Sequence, residues 1–124
     1  MALAEVVGAQ FRAYRVAAGY VRVDWFDGAV VTGQDAHETL QAIASLGDGH
    51  LAPLLVDTRL ARSVSREART LYAGTSHASR VAVFVDSPLS RMIANFYIGL
   101  SGSSDPVKMF TELDAAELWL LDDH

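Results

Sequence analysis

The chain has 124 residues, 51% of them hydrophobic, with a formal net charge of −5 and no cysteine. That length suits one domain with one sizeable core, so residues 1–124 are read as a single domain. The missing cysteines exclude disulfides, thiol nucleophiles and thiolate metal sites, and the acidic balance argues against nucleic-acid binding.

"FRAYRV" (Phe11–Val16) and "YVRVDWF" (Tyr20–Phe26) alternate apolar with polar residues. Joined by Ala17, Ala18 and Gly19, they predict a hairpin with one wet face. Trp25 and Phe26 point to opposite faces, so one of them is expected on the wetter side. Asp27–Gly28 turns the chain into a short apolar piece, Ala29–Val31. Thr32 and Asp35 form a capping box for a first helix whose apolar positions run from Ala36 to a stop at Gly47 or Gly49. "APLLV" (Ala52–Val56) is continuously apolar, the sign of a strand buried on both faces. Ser65 then caps a second helix through Ala68, Leu71 and Tyr72 to Gly74. Arg80–Val85 is another apolar strand, and Leu54–Val56 and Val81–Val85 are expected to be adjacent and central.

Ser87 caps a third helix with Pro88 in its first turn. Its apolar stripe, Leu89, Met92, Ile93, Phe96, Tyr97 and Leu100, is expected to be core. Ser101–Pro106 reads as a surface loop, and "VKMFTE" from Val107 as a last strand. Asp114 with Glu117 is expected to cap a final helix carrying Leu118, Trp119, Leu120 and Leu121. A strand pair followed by strand–helix alternation predicts an α/β sandwich with a mixed sheet. No apolar run reaches the roughly 20 residues of a membrane span, and "MALAEVVGAQ" lacks the basic start and apolar core of a secretory leader. A cytoplasmic location is the expectation.

This order resembles the SpoIIAA-like superfamily, which includes STAS domains (anti-sigma-factor antagonists) and SEC14-type lipid-binding relatives. The carriers are "LLVDTR" ahead of a helix start, "RVAVFVDSPLSR" leading into "NFYIGL", and "KMFTELDAAELWL". The resemblance implies four strand–helix turns and a non-enzymatic binding or regulatory role. In phosphorylated STAS domains an Asp–Ser pair opens the helix after the second buried strand, and that serine is the acceptor. In that register Ser65 stands at the aspartate and Arg66 at the acceptor, while Ser63 is also out of place. The better match is to less characterised STAS/SEC14-like proteins of bacteria, without the phosphoswitch.

Arg59, Arg62, Arg66 and Arg69 cluster between Leu54 and Gly74 and make up four of the ten basic residues. A helix start carries partial positive charge, so Arg66 in a first turn is mildly unfavourable there. With Arg62 ahead of it, the turn can receive a phosphate, a carboxylate or a partner's acidic side chain. The candidate anion- or partner-binding set is Arg62, Ser65, Arg66 and Asp57. The plainer reading has Glu67 and Asp57 neutralise the arginines, with Ser65 an ordinary cap and Asp57 a strand-end acceptor.

His37, His50, His77 and His124 lack metal-ligand spacing, so no metal or cofactor is expected. A triad of Ser76, His77 and Asp57 lacks a G-x-S-x-G elbow, and "GLSGSSDP" lacks a lysine and a preceding strand. The far face of the third helix, Arg91, Asn95 and Ile98, together with Trp25, is the expected interface of a homodimer. Met92, Phe96 and Tyr97 would line a pocket for a lipid or small apolar ligand, as the SEC14 resemblance implies. The leading expectation is a regulatory protein–protein module that is not an enzyme. An apolar-ligand carrier comes second, and a small hydrolase last.

Overall fold

A computed structural model describes residues 4–74, 78–100 and 107–122, with backbone alone for 73, 74 and 96–100. The alternating N-terminal segments form strands: β1 (Glu5–Val7), β2 (Phe11–Val16) and β3 (Tyr20–Trp25) pair antiparallel in that order. Gly19 closes the β2–β3 turn at φ +116°, a conformation that a side chain would strain. β4 (Ala29–Val31) leads into α1 (Gly33–Leu46). Thr32 caps α1: its hydroxyl accepts from the Asp35 N–H at 3.2 Å, and the Asp35 carboxylate accepts from the Thr32 N–H at 3.0 Å. The expected capping box is therefore present, and Gly47 is the C-cap.

β5 (Ala52–Asp57), β6 (Ala61–Val64), α2 (Arg66–Gly74), β7 (Ala78–Phe84), α3 (Pro88–Leu100), β8 (Val107–Phe110) and α4 (Leu113–Leu120) follow. The main sheet has six strands in the order β1-β2-β3-β5-β7-β8, with β3, β5, β7 and β8 parallel. β5 and β7 are thus adjacent and interior, as their continuous apolar runs required. β4 and β6 form a separate parallel pair. Each helix is entered from the carboxyl end of β3, β5, β7 or β8, the first two by way of β4 and β6, so all four begin at one end of the sheet.

Side-chain alternation divides the core between the two faces of the sheet. Phe11, Val21, Val23, Trp25, Leu54 and Val56 pack with Ile43 and Leu46 of α1, Ala68 of α2 and Ile93 of α3. On the opposite face Tyr20, Leu55, Ala82 and Phe84 meet Ala116 and Leu120 of α4. Three helices cover one face and one short helix covers the other.

Four expectations are corrected. Residues 61–64, read as part of a turn, form β6, because β4 offers them a partner: Ala29 is opposite Ala61, and Val31 is opposite Val64. Leu89 and Met92 of α3 are exposed, at 43% and 51%. The buried face of that helix runs through Ser90, Ile93 and Ala94, whose two small residues let the backbone come close to its neighbours. α4 is capped at Glu112 without a side-chain hydrogen bond, and Asp114 sits inside the first turn. Trp25, expected in a homodimer interface, is 3% exposed and packs edge-on against Phe11 in the core, so it offers no contact surface. Phe26, 39% exposed, is the aromatic that lies on the wet side, as one of the two was expected to. Ser101–Pro106, Ser76, His77 and His124 lie outside the described residues.

Candidate functional site

Two groups of charges arise from one short stretch. Asp57 ends β5, where strand pairing sets it opposite Asp24 of β3 and Phe84 of β7. Its carboxylate accepts from Arg22 Nη2 at 3.2 Å, from Arg59 Nη2 at 2.8 Å, and from the Arg59 Nε and backbone N–H at 3.0 and 3.1 Å. Arg22 Nε also donates to Asp24 at 2.7 Å, Asp24 accepts from the Tyr14 hydroxyl at 3.1 Å, and the Arg59 guanidinium lies 4.1 Å above the Phe84 ring. Burial by itself would raise the Asp57 pKa, but the Arg59 hydrogen bonds and the charges of Arg59 and Arg22 outweigh it and hold the group below its ordinary value. A carboxylate held ionised by two guanidiniums is a poor base. Asp57 is an organising charge for the sheet face that carries α4.

The second group lies beyond β6. Arg62 and Ser63 are exposed on that strand, while Ala61 and Val64 turn inward. The Ser65 hydroxyl accepts from the Ala68 N–H at 3.1 Å, so Ser65 caps α2, and Arg66 is the exposed first residue of that helix. The Ser65 N–H donates to Val31 O at 2.9 Å, which sets the starts of α1 and α2 side by side. Gln10 ties this corner to the hairpin: its side chain donates to Val30 O and to Asp35, both at 2.6 Å, and accepts from the Val30 N–H at 2.8 Å. Glu67 lies against Gly33, where an added Cβ would meet Glu67 Oε2 at 3.0 Å. Among the described residues, neither Arg62 nor Arg66 has an ion-pair partner. The fold brings Arg62, Ser65 and Arg66 onto one turn and commits Asp57 to a different set of arginines.

On α3, Arg91 and Asn95 are exposed, and Arg91 stands at a cleft of about 230 Å³. The side chains of Phe96, Tyr97 and Ile98 lie outside the described residues. His37 and His50 are exposed, and among the described residues no cluster of three or more His, Asp or Glu is placed to hold a metal. Arg59 is one of the arginines that the plainer reading of the sequence had Asp57 neutralise, and it does so. Arg22 and Tyr14, as partners of Asp57 and Asp24, were not anticipated. The alternation Arg22–Val23–Asp24 was the available signal, since it puts two charges on one face of a strand.

The mixed sheet with its four strand-to-helix turns, three helices on one face and one on the other, is a SpoIIAA-like fold. The chain aligns with the crystal structure of an uncharacterized protein from the DUF3478 family with a SpoIIAA-like fold, from Shewanella loihica PV-4. The TM-score is 0.58 at 18% identity, over 96% of this chain and 92% of that one. The chain belongs to the family described as "Domain of unknown function (DUF7793)", which matches residues 14–122. A protein with unknown function from Arthrobacter sp. FB24 is also similar, at 33% identity over 94% of this chain and 97% of that one, with a TM-score of 0.38. No curated protein matches the chain. Among the described residues, no helix is long and apolar enough to cross a membrane.

Proposed function

We propose that the chain acts as one domain and as a non-enzymatic interaction module, holding an acidic group of a partner at the Arg62–Arg66 turn. The observation that carries this reading is the pair of exposed arginines at two adjoining helix starts, with no carboxylate of the described residues paired to either. Unpaired backbone N–H groups and the positive ends of two helices add to the attraction for an anion. The Ser65 hydroxyl is engaged by the Ala68 N–H, which fits a cap better than a phosphoacceptor. A second copy of the chain is the first partner to test, with the outer face of α3, Arg91 and Asn95, as its contact surface.

The experiment is a titration of isotopically labelled protein with a short polyglutamate peptide, read at the backbone amides of Ser65 to Ala68. Saturable shifts that weaken with added salt, and that vanish in the Arg62→Ala, Arg66→Ala double variant, support the reading. Equal shifts in the double variant overturn it. Sedimentation equilibrium of the wild type tests the dimer separately.

A further inference from the structure

The carboxyl ends of β7 and β8 border the cleft of about 230 Å³, which opens between the first turns of α3 and α4. Ligands of open α/β sheets gather at this end of the parallel strands. The Val85 N–H donates to Phe110 O at 2.9 Å and joins the two strand ends. Met109, Phe110 and Ala115 give the cleft its apolar surface, Thr111 adds a polar side chain, and Arg91 and Glu112 add one charge of each sign, while Val85 lies fully buried behind them. The space exceeds the ~150 Å³ that admits a benzene ring and falls short of the ~300–1,000 Å³ of sites for drug-sized molecules.

Arg91 and Glu112 are both exposed, and neither is ion-paired with the other or with any described residue. Neither is used by a helix cap. Glu112 is the N-cap of α4 but makes no side-chain cap bond. The start of α3 is closed by serines instead: the Ser90 N–H donates to the Ser87 hydroxyl at 3.0 Å, and the Ser90 hydroxyl accepts from the Asp86 and Ser87 N–H groups at 2.9 Å each. A simple anion drawn to Arg91 meets repulsion from Glu112, and a simple cation meets the reverse. A molecule with both charges satisfies both groups.

We propose that this cleft binds a small zwitterion with an apolar body, an α-amino acid with an aliphatic or aromatic side chain. Its carboxylate lies on Arg91, its ammonium on Glu112, and its side chain against the half-buried Met109 and Phe110. The site is separate from the Arg62–Arg66 turn and does not depend on the reading of that turn. It shares Arg91 with the proposed α3 contact surface, so a second copy closed over that residue would compete with the ligand.

The test titrates isotopically labelled protein with L-leucine and L-phenylalanine. Isocaproate, which is leucine without its ammonium, and isoamylamine, which is leucine without its carboxylate, serve as comparisons. The readout is the backbone amides of Arg91 and of residues 111–115. Saturable shifts with either amino acid are expected, with each truncated analogue bound about tenfold more weakly than leucine. Arg91→Gln should remove the advantage of leucine over the amine, and Glu112→Gln its advantage over the acid. Both variants should keep the wild-type far-ultraviolet circular dichroism, because both side chains are exposed. Absence of saturation at millimolar amino acid, isocaproate binding as tightly as leucine, or variants that bind leucine like the wild type would each overturn the proposal.

Discussion

Asp57 and Arg62 are neighbours in sequence, yet their charges meet opposite fates. Asp57 lies on an interior strand of the six-stranded sheet, so side chains from both flanking strands reach it, and its carboxylate is surrounded by Arg22, Arg59 and the Phe84 ring beneath Arg59. Arg62 lies on β6, which has a single partner strand and presents its polar positions outward. Position within the sheet, more than residue type, decides whether a charge is structural or available. The Asp57 region should therefore answer to stability measurements, and the Arg62 region to binding measurements.

The largest effect should come from Asp57→Ala. Arg22, with a side chain only 15% exposed, would keep Asp24 alone, while the 37% exposed Arg59 side chain can turn to water. Removing one partner of a buried pair costs about 3 kcal/mol, and urea denaturation should read a loss near that figure. A loss under about 1 kcal/mol, the scale of an exposed pair, would erase the distinction between the two regions. The pH dependence gives a second check. The folded pKa of Asp57 is depressed, so its contribution is complete above its ordinary value of 3.8 and is lost as pH falls through the lower folded value. The stability gap between wild type and variant should narrow in that acid range and stay constant near neutrality.

A smaller loss is expected from Tyr20→Phe on the same paired face. The Tyr20 hydroxyl donates to Glu117 at 2.9 Å and fastens α4 to the sheet, and a lost hydrogen bond costs about 1 kcal/mol. Burial, followed by that bond and the Glu117 charge, pushes the Tyr20 pKa up from 10.0 to about 12. A raised pKa means that the folded chain retains a proton the unfolded chain gives up. The contribution is therefore whole below pH 10.0 and lost as pH rises towards about 12. Alkaline titration of stability should show this slope in the wild type and a reduced slope in the variant. Ser65→Ala should cost a similar ~1 kcal/mol by removing the cap of α2, whereas Ser63→Ala, at an exposed strand position, should stay within about 0.5 kcal/mol. Equal losses at the two serines would mean that the cap of α2 does not depend on Ser65.

The difference between the regions also marks what could be read from the sequence. The Thr32–Asp35 box, the Ser65 and Ser87 caps, the hairpin and the central strands were legible, because each depends on residues a few positions apart or on one continuous apolar run. β6 was not: "ARSV" alone has no strong strand pattern, and it becomes a strand by pairing with residues more than thirty positions earlier. The Arg22–Asp57 pair required the β3–β5 register, which no local pattern encodes. On α3, counting large apolar residues favoured Leu89 and Met92, whereas the helix buries the small Ser90 and Ala94 beside Ile93. The cleft was invisible for the same reason, since Arg91 and Glu112 come together only through two successive strand ends.

The smallest effect on stability belongs to the Arg62→Ala, Arg66→Ala double variant, and that smallness is itself the prediction. Both side chains are exposed and unpaired among the described residues, so their removal should shift stability by no more than about 0.5 kcal/mol. The sign should lean towards stabilisation. Arg66 places a positive charge in the first turn of α2, where the helix dipole disfavours it by a few tenths of a kcal/mol at low salt. Added salt screens that repulsion, so any gain should shrink as ionic strength rises. Paired urea denaturation curves at low and high salt would reveal it. A double variant that instead loses more than about 1 kcal/mol would show that the arginines help hold the α1–α2 corner together. In that event the turn would belong with Asp57 among the structural charges.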